Sequence, residues 1–217
     1  MALKVRNLTQ FQSELDGQMA WRIREISDYK LASKARTASV PAFVRGGVAL
    51  VYAHWEGFIK AASETYLSYV QNQGLIYREL KTCFVVFGLK GHLNLLGDSR
   101  KAISNISALD FVLNELDKPS KMSLSTAINT ESNLTSKVFA NIATSIGISM
   151  SRYETHFNLI DESLVRRRNS IAHGEYLDLE PDDFRKLADD VIQLMRWFKS
   201  DLENAASLQS YKRLETA

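Results

Sequence analysis

Proline and glycine are scarce in this sequence, at 3 and 10 of 217 residues. A β-sandwich or barrel needs a turn every dozen residues or so, and the punctuation for that is missing. A single cysteine, Cys83, excludes an intrachain disulfide and a cysteine-rich zinc cluster, and suits a reducing compartment. Charge of one sign is missing too. Lys plus Arg number 27 against 25 for Asp plus Glu, a formal net charge of +2, so there is no global basic field of the kind that coats DNA. Any nucleic-acid binding has to come from a local patch. The longest apolar runs, Val48–Ala53 and Cys83–Leu89, fall far short of the roughly 20 residues that span a bilayer. The opening MALKVRNLTQF carries no apolar h-region of a signal peptide. The expectation is a cytoplasmic protein without a membrane partner. There is no GxxxxGK[ST] loop, no GxGxxG after a strand, and no HExxH or CxxC. His54, His92, His156 and His173 show no metal-ligand spacing. Neither a cofactor nor a metal is expected.

Helical periodicity is what the chain does have. With 45% hydrophobic and 24% charged residues it is ordinarily globular, and its length suits one domain over 1–217. The pattern predicts an all-α fold, a bundle of long antiparallel helices. A first helix begins after Asn7 or Thr9 and runs to about Ala38, with Phe11, Leu15, Met19, Ile26 and Tyr29 on one side. A second reads from Pro41 to about Gln71 on the stripe Val44, Val48, Val51, Trp55, Ile59, Ala62, Tyr66 and Tyr69. The apolar CFVVF within Leu75–Gly91 fits helix or strand. Asp98–Leu116 reads as helix, and the Ser/Thr/Asn-rich stretch 118–136 as a loop excursion. A short helix at Lys137–Ile146 ends at Gly147, another runs from about Ser151 to near His173, and a last one opens at EPDD with Pro181 in its first turn.

The informative segment is LVRRRNSIAHGE, Leu164–Glu175. At about 100° per residue, Tyr153, Phe157, Ile160, Leu164 and Ile171 share one stripe, with Arg168 at its centre. Arg166 then points away and Arg167 lies on a flank. A guanidinium cannot be neutralised, so Arg168 must find a carboxylate, a backbone carbonyl or an anionic ligand. Gly174 is suited to the position just beyond a helix end, which puts His173 at the carboxy terminus, where it can donate to orphan carbonyls. One reading of the pair is structural: the arginine satisfies an internal carboxylate and the histidine caps its own helix.

RNSIAHGE, together with VRGGVALVYAHWEGFIK on the second helix, resembles the RiboL-PSP branch of the HEPN superfamily. HEPN domains are helical bundles whose active members carry an Arg, four to six residues and a His, often with a polar residue after the Arg. Here these are Arg168, Asn169 and His173. The resemblance implies a metal-independent endoribonuclease, a toxin or antiviral-defence effector. In that chemistry the RNA's own 2′-hydroxyl attacks the adjacent phosphate. His173 would move a proton, Arg168 would stabilise the phosphorane, and Asn169 would orient the histidine or a phosphate oxygen. It also implies RNA as partner, a homodimer with facing motifs, and an antitoxin or defence-system protein. The alternative is a non-catalytic HEPN module that binds RNA, a nucleotide or a protein.

Four further residues are candidates for holding substrate: Arg45, His54, Glu56 and Arg167. Arg45 and Glu56 share a flank of the second helix, about 16 Å apart along the axis, too far for one ion pair. Glu56 also has Lys60 four residues on as a surface partner, and His54 reads equally as a half-buried core histidine. An offset of five residues leaves Arg168 and His173 about 140° apart on an ideal helix. They address one phosphate if the helix unwinds near Ala172–Gly174, or if a second copy brings its own pair across a two-fold axis.

Overall fold

The computed structural model describes residues 5–35, 37–88, 90, 102–122 and 127–214. Seven α-helices occur among them, and no strands, only the isolated bridges Ile76 to Pro119 and Leu80 to Lys212. The fold is all-α. Asn7 caps the first helix, α1 (Leu8–Ala32), by accepting from the Gln10 N–H at 2.9 Å. α1 stops at Ser33 rather than near Ala38, and Ser33 Oγ donates to the Lys30 carbonyl at 2.7 Å. The six residues expected to continue it contain no apolar side chain larger than alanine, so nothing pulls them onto the core, and the chain reverses there instead.

α2 (Val40–Gln71) takes Pro41 in its first turn and buries every residue of its stripe. Its carboxy end returns to the start of α1, where Asn72 Nδ2 donates to the Val5 carbonyl at 3.0 Å. The pair is therefore an antiparallel hairpin. The last helix, α7 (Pro181–Ser207), begins beside the end of α1, where Lys30 meets Asp189 and Arg185 donates to Ser33. It ends beside the start of α1, with Lys199 Nζ 2.9 Å from Asp16. It runs antiparallel to α1 and along α2.

These three helices supply most of the core. α2 and α7 approach closely at Gly47, where an added Cβ would stand 2.4 Å from Cζ of the wholly buried Phe184 ring. Alanine favours a helix over glycine by about 1 kcal/mol, but overpacking a tight core costs about 1–3 kcal/mol, and at this separation the clash wins. Gly47→Ala is expected to lower the urea midpoint of unfolding; an unchanged or raised midpoint would show that Phe184 can give way.

The connection between α2 and α7 holds shorter elements. CFVVF lies on a helix, α3 (82–88), that buries Phe84 and Val85. α4 (Ala102–Asn114) buries Ala108 and leaves Ile103, Ile106, Leu109 and Leu113 exposed. Residues 98–101, expected to belong to it, lie outside the described residues. Among the described residues of 118–136 no helix precedes α5 (Ser136–Ser145), and several of them pack against the body. Met122, Ile128 and Leu134 are buried there, Ser120 N–H donates to the Leu75 carbonyl, and the Tyr77 hydroxyl donates to the Lys121 carbonyl. Gly147 follows α5 with φ +75°, a left-handed turn that suits glycine.

The helix expected from Ser151 is not uniform. A turn and a 3-10 segment (Glu154–His156) lead into a π-helical stretch, Leu159–Arg166, which passes directly into α6 (Arg167–Ala172). Its i→i+5 bonding widens the turn, so the stripe drawn at 100° per residue shifts phase just before the arginines.

Candidate active site

α6 ends as its glycine requires. Gly174 adopts φ +76°, its N–H donates to the Ile171 carbonyl at 3.1 Å, and the Glu175 N–H reaches back to Ser170 at 2.9 Å. That is a Schellman termination. His173 is the C-cap residue, its backbone N–H on the Asn169 carbonyl at 2.9 Å and its side chain exposed.

The three arginines differ as their positions suggest. Arg166 is exposed and pairs with Glu162 four residues earlier at 2.9 Å. Arg167 is half-buried. Arg168, also half-buried, lies over the Tyr52 ring of α2, 4.3 Å from its centroid. Its Nη1 donates to Asn133 Oδ1 and to Asn169 Oδ1, both at 2.8 Å. All three of these partners are neutral. No carboxylate of a described residue pairs with Arg168, and its Nε and Nη2 make no hydrogen bond to one. A cation held in place by two amides and a ring keeps its charge for something else.

The Tyr52 hydroxyl accepts from the Leu134 N–H at 2.8 Å. Burial is the main cause that holds its phenol above the ordinary pKa; Glu56 pushes the same way, while the Leu134 hydrogen bond and the Arg168 charge oppose it. Tyr52 thus stays a neutral ring under the guanidinium. The stretch bearing Asn133 is fixed at its far end by Asp161 on the π-helical segment, which accepts from Ser136 N–H at 2.7 Å and from Ser136 Oγ at 2.5 Å.

Arg45, Tyr52 and Glu56 lie along one flank of α2 at spacings of seven and four. Arg45 stands 5.7 Å from the centroid of the exposed Tyr176 ring, three residues beyond His173. The site therefore gathers Arg168, Asn169, Tyr52 and Asn133, with Glu56 beside Tyr52 and Arg45 beside Tyr176. Asn169 Oδ1 accepts from Arg168, the neighbouring residue. No hydrogen bond joins His173 to Arg168. Tyr52 had a sequence signal in its place on the Arg45–Glu56 flank. Asn133, inside a polar stretch without periodicity, had none.

His54 lies elsewhere. It is buried against α1, its Nε2 2.8 Å from a Glu25 carboxylate oxygen, with the Trp21 ring packed edge-on. Arg22 of α1 is buried in the same cluster, its guanidinium over Trp21 and its Nη1 donating to the Gln18 carbonyl and side chain. Burial lowers the His54 pKa below its usual value; Glu25 pulls it up and the Arg22 charge lowers it further. A depressed imidazole stabilises the fold above the unfolded pKa of about 6.5 and loses that contribution as pH falls through the folded value. Melting temperature should fall on acidification from pH 7 to pH 5, and fall less steeply in His54→Gln. Parallel slopes would contradict a neutral buried His54.

No group of His, Cys, Asp and Glu among the described residues is arranged to hold a metal, and no helix among them is long and apolar enough to cross a membrane. A model of the RiboL-PSP-HEPN family matches residues 18–204. No curated protein and no solved structure matches the chain.

Proposed function

Because the chain belongs to the RiboL-PSP-HEPN family, we propose that it is a metal-independent endoribonuclease, a toxin or antiviral-defence effector working in the cytoplasm. The family itself suggests an RNase-type or nucleotide-related function. The observation that carries the finer reading is Arg168, half-buried on neutral partners with two of its nitrogens unengaged by described residues. A fixed guanidinium of that kind suits a phosphate whose charge grows in the transition state.

In the proposed reaction the ribose 2′-oxygen attacks the adjacent phosphorus as its proton leaves. Arg168 stabilises the phosphorane, the bond from phosphorus to the 5′-oxygen breaks, and that oxygen takes up a proton. The products are a 2′,3′-cyclic phosphate and a 5′-hydroxyl. His173 is the proton carrier. It takes the proton from the 2′-hydroxyl and delivers a proton to the 5′-oxygen. A two-fold dimer with facing α6 ends brings one chain's Arg168 to the other's His173. The partners under this reading are RNA, a second copy of the chain, and a neutralising antitoxin or defence-system protein.

The dimer has its own test. Arg168→Ala and His173→Ala, each inactive alone, should regain part of the wild-type activity on mixing if one chain's arginine works with the other's histidine. A strictly monomeric active enzyme would refute the shared site.

One observation favours the module that binds without cutting: His173 is exposed and not hydrogen-bonded to Arg168. Expression in cells separates the two readings. A nuclease slows growth and fragments total RNA, and His173→Ala does neither. Intact RNA with the wild type would leave the binding module.

A further inference from the structure

We propose that the site includes a subsite for one unpaired, amine-bearing base, cytosine, adenine or guanine rather than uracil, that stacks on Tyr176; this rests on the ribonuclease reading above. Tyr176 is 76% exposed, too open to contribute much to the core, and it follows His173 by three residues in a non-helical run before α7. The guanidinium of Arg45 sits 5.7 Å from its centroid, which steadies the ring and places a cation beside any strand that crosses it. Next to the ring a cavity of about 110 Å³ opens between the start of α2 and residues 176–181.

The lining of that cavity selects its occupant. Pro41, Val44 and Leu179 give it an apolar wall, and Asp178 and Glu180 give it carboxylates. Two carboxylates repel a phosphate but accept hydrogen bonds from amino hydrogens, as acidic side chains do from the cytosine amine. The phosphate belongs with Arg168 and Arg45, and the base with Tyr176 and the cavity. A base reaches such a ring only when it is unstacked from its neighbours, so duplex RNA is a poor substrate.

The test uses the full chain and short 2′-O-methyl oligonucleotides, whose blocked 2′-oxygen prevents cutting, with affinity read by fluorescence anisotropy. Oligocytidylate should bind more tightly than oligouridylate, and both more tightly than a duplex. Tyr176→Ala should weaken oligocytidylate binding about 5- to 100-fold, the range expected for loss of one stacked base, and Tyr176→Phe should keep the wild-type affinity. Equal affinity of wild type and Tyr176→Ala, in a protein that cuts RNA, overturns this subsite and leaves the nuclease reading standing. Equal binding of the two pyrimidines overturns the base preference. A wild type that neither binds nor cuts RNA overturns both readings.

Discussion

His173→Ala and Arg168→Ala should each lower the rate of RNA cleavage by about 10²–10⁴-fold, the usual cost of losing a general acid–base group or a charge aimed at a transition state. The geometry separates this loss from unfolding. His173 is exposed, and the carbonyls at the end of α6 are satisfied by backbone N–H groups around Gly174. Alanine at 173 leaves that termination intact. Arg168 rests on an amide pair and the Tyr52 ring, and its removal strands no carboxylate of a described residue. Both variants should keep the helical circular dichroism of the wild type. Arg166→Ala, which removes only an exposed pair with Glu162, should cut RNA at close to the wild-type rate. Cleavage by His173→Ala at the wild-type rate would remove it from the chemistry.

The second large effect is on the fold. Phe139→Ala should cost about 3–5 kcal/mol, as truncations of buried aromatics do. Phe139 is fully buried on α5, and its ring meets those of Trp55, Tyr153 and Phe198 at centroid separations of 5.0, 5.1 and 5.6 Å. One side chain thus ties α5 to α2, to α7 and to the turn that leads into the π-helical segment. Each edge-on pair adds to the burial it represents. Tyr153→Phe removes only the hydroxyl that donates to Asp201 at 2.5 Å, and losing a hydrogen bond to a charged group costs less, about 1–3 kcal/mol. Urea denaturation of the two variants orders the contributions; a Phe139→Ala midpoint near that of the wild type would mean that the cluster repacks around the gap.

Where one periodicity ran unbroken, the sequence was easy to read. The stripes of α2 and of α7 (Phe184, Leu187, Val191, Leu194, Phe198 and Leu202) repeat every three or four residues over eight and six positions, and all of those residues are buried. On α1 the same stripe passes through Arg22, seven residues after Leu15, and the structure buries it; the spacing was present, but a guanidinium is not read as core. The motif on α6 was legible because it is local. Arg168, Asn169, His173 and Gly174 lie within seven residues, and the helix end needs only the glycine. What holds Arg168 in place was not. Asn133 comes from a polar stretch with no period, and Tyr52 is set against the arginine by helix packing rather than by sequence distance. The π-helical turns between Leu159 and Arg166 also escape a reading by pattern, since their hydrogen bonding changes the period on which such a reading depends.

The central claim is that Arg168 and His173 serve phosphodiester transesterification without a metal. The most direct measurement incubates purified protein with RNA in excess EDTA and determines the chemistry of the new ends. Cleavage that persists and leaves 2′,3′-cyclic phosphate with 5′-hydroxyl ends is the result predicted. Cleavage that stops with the chelator, or that leaves 5′-phosphate and 3′-hydroxyl ends, would contradict it.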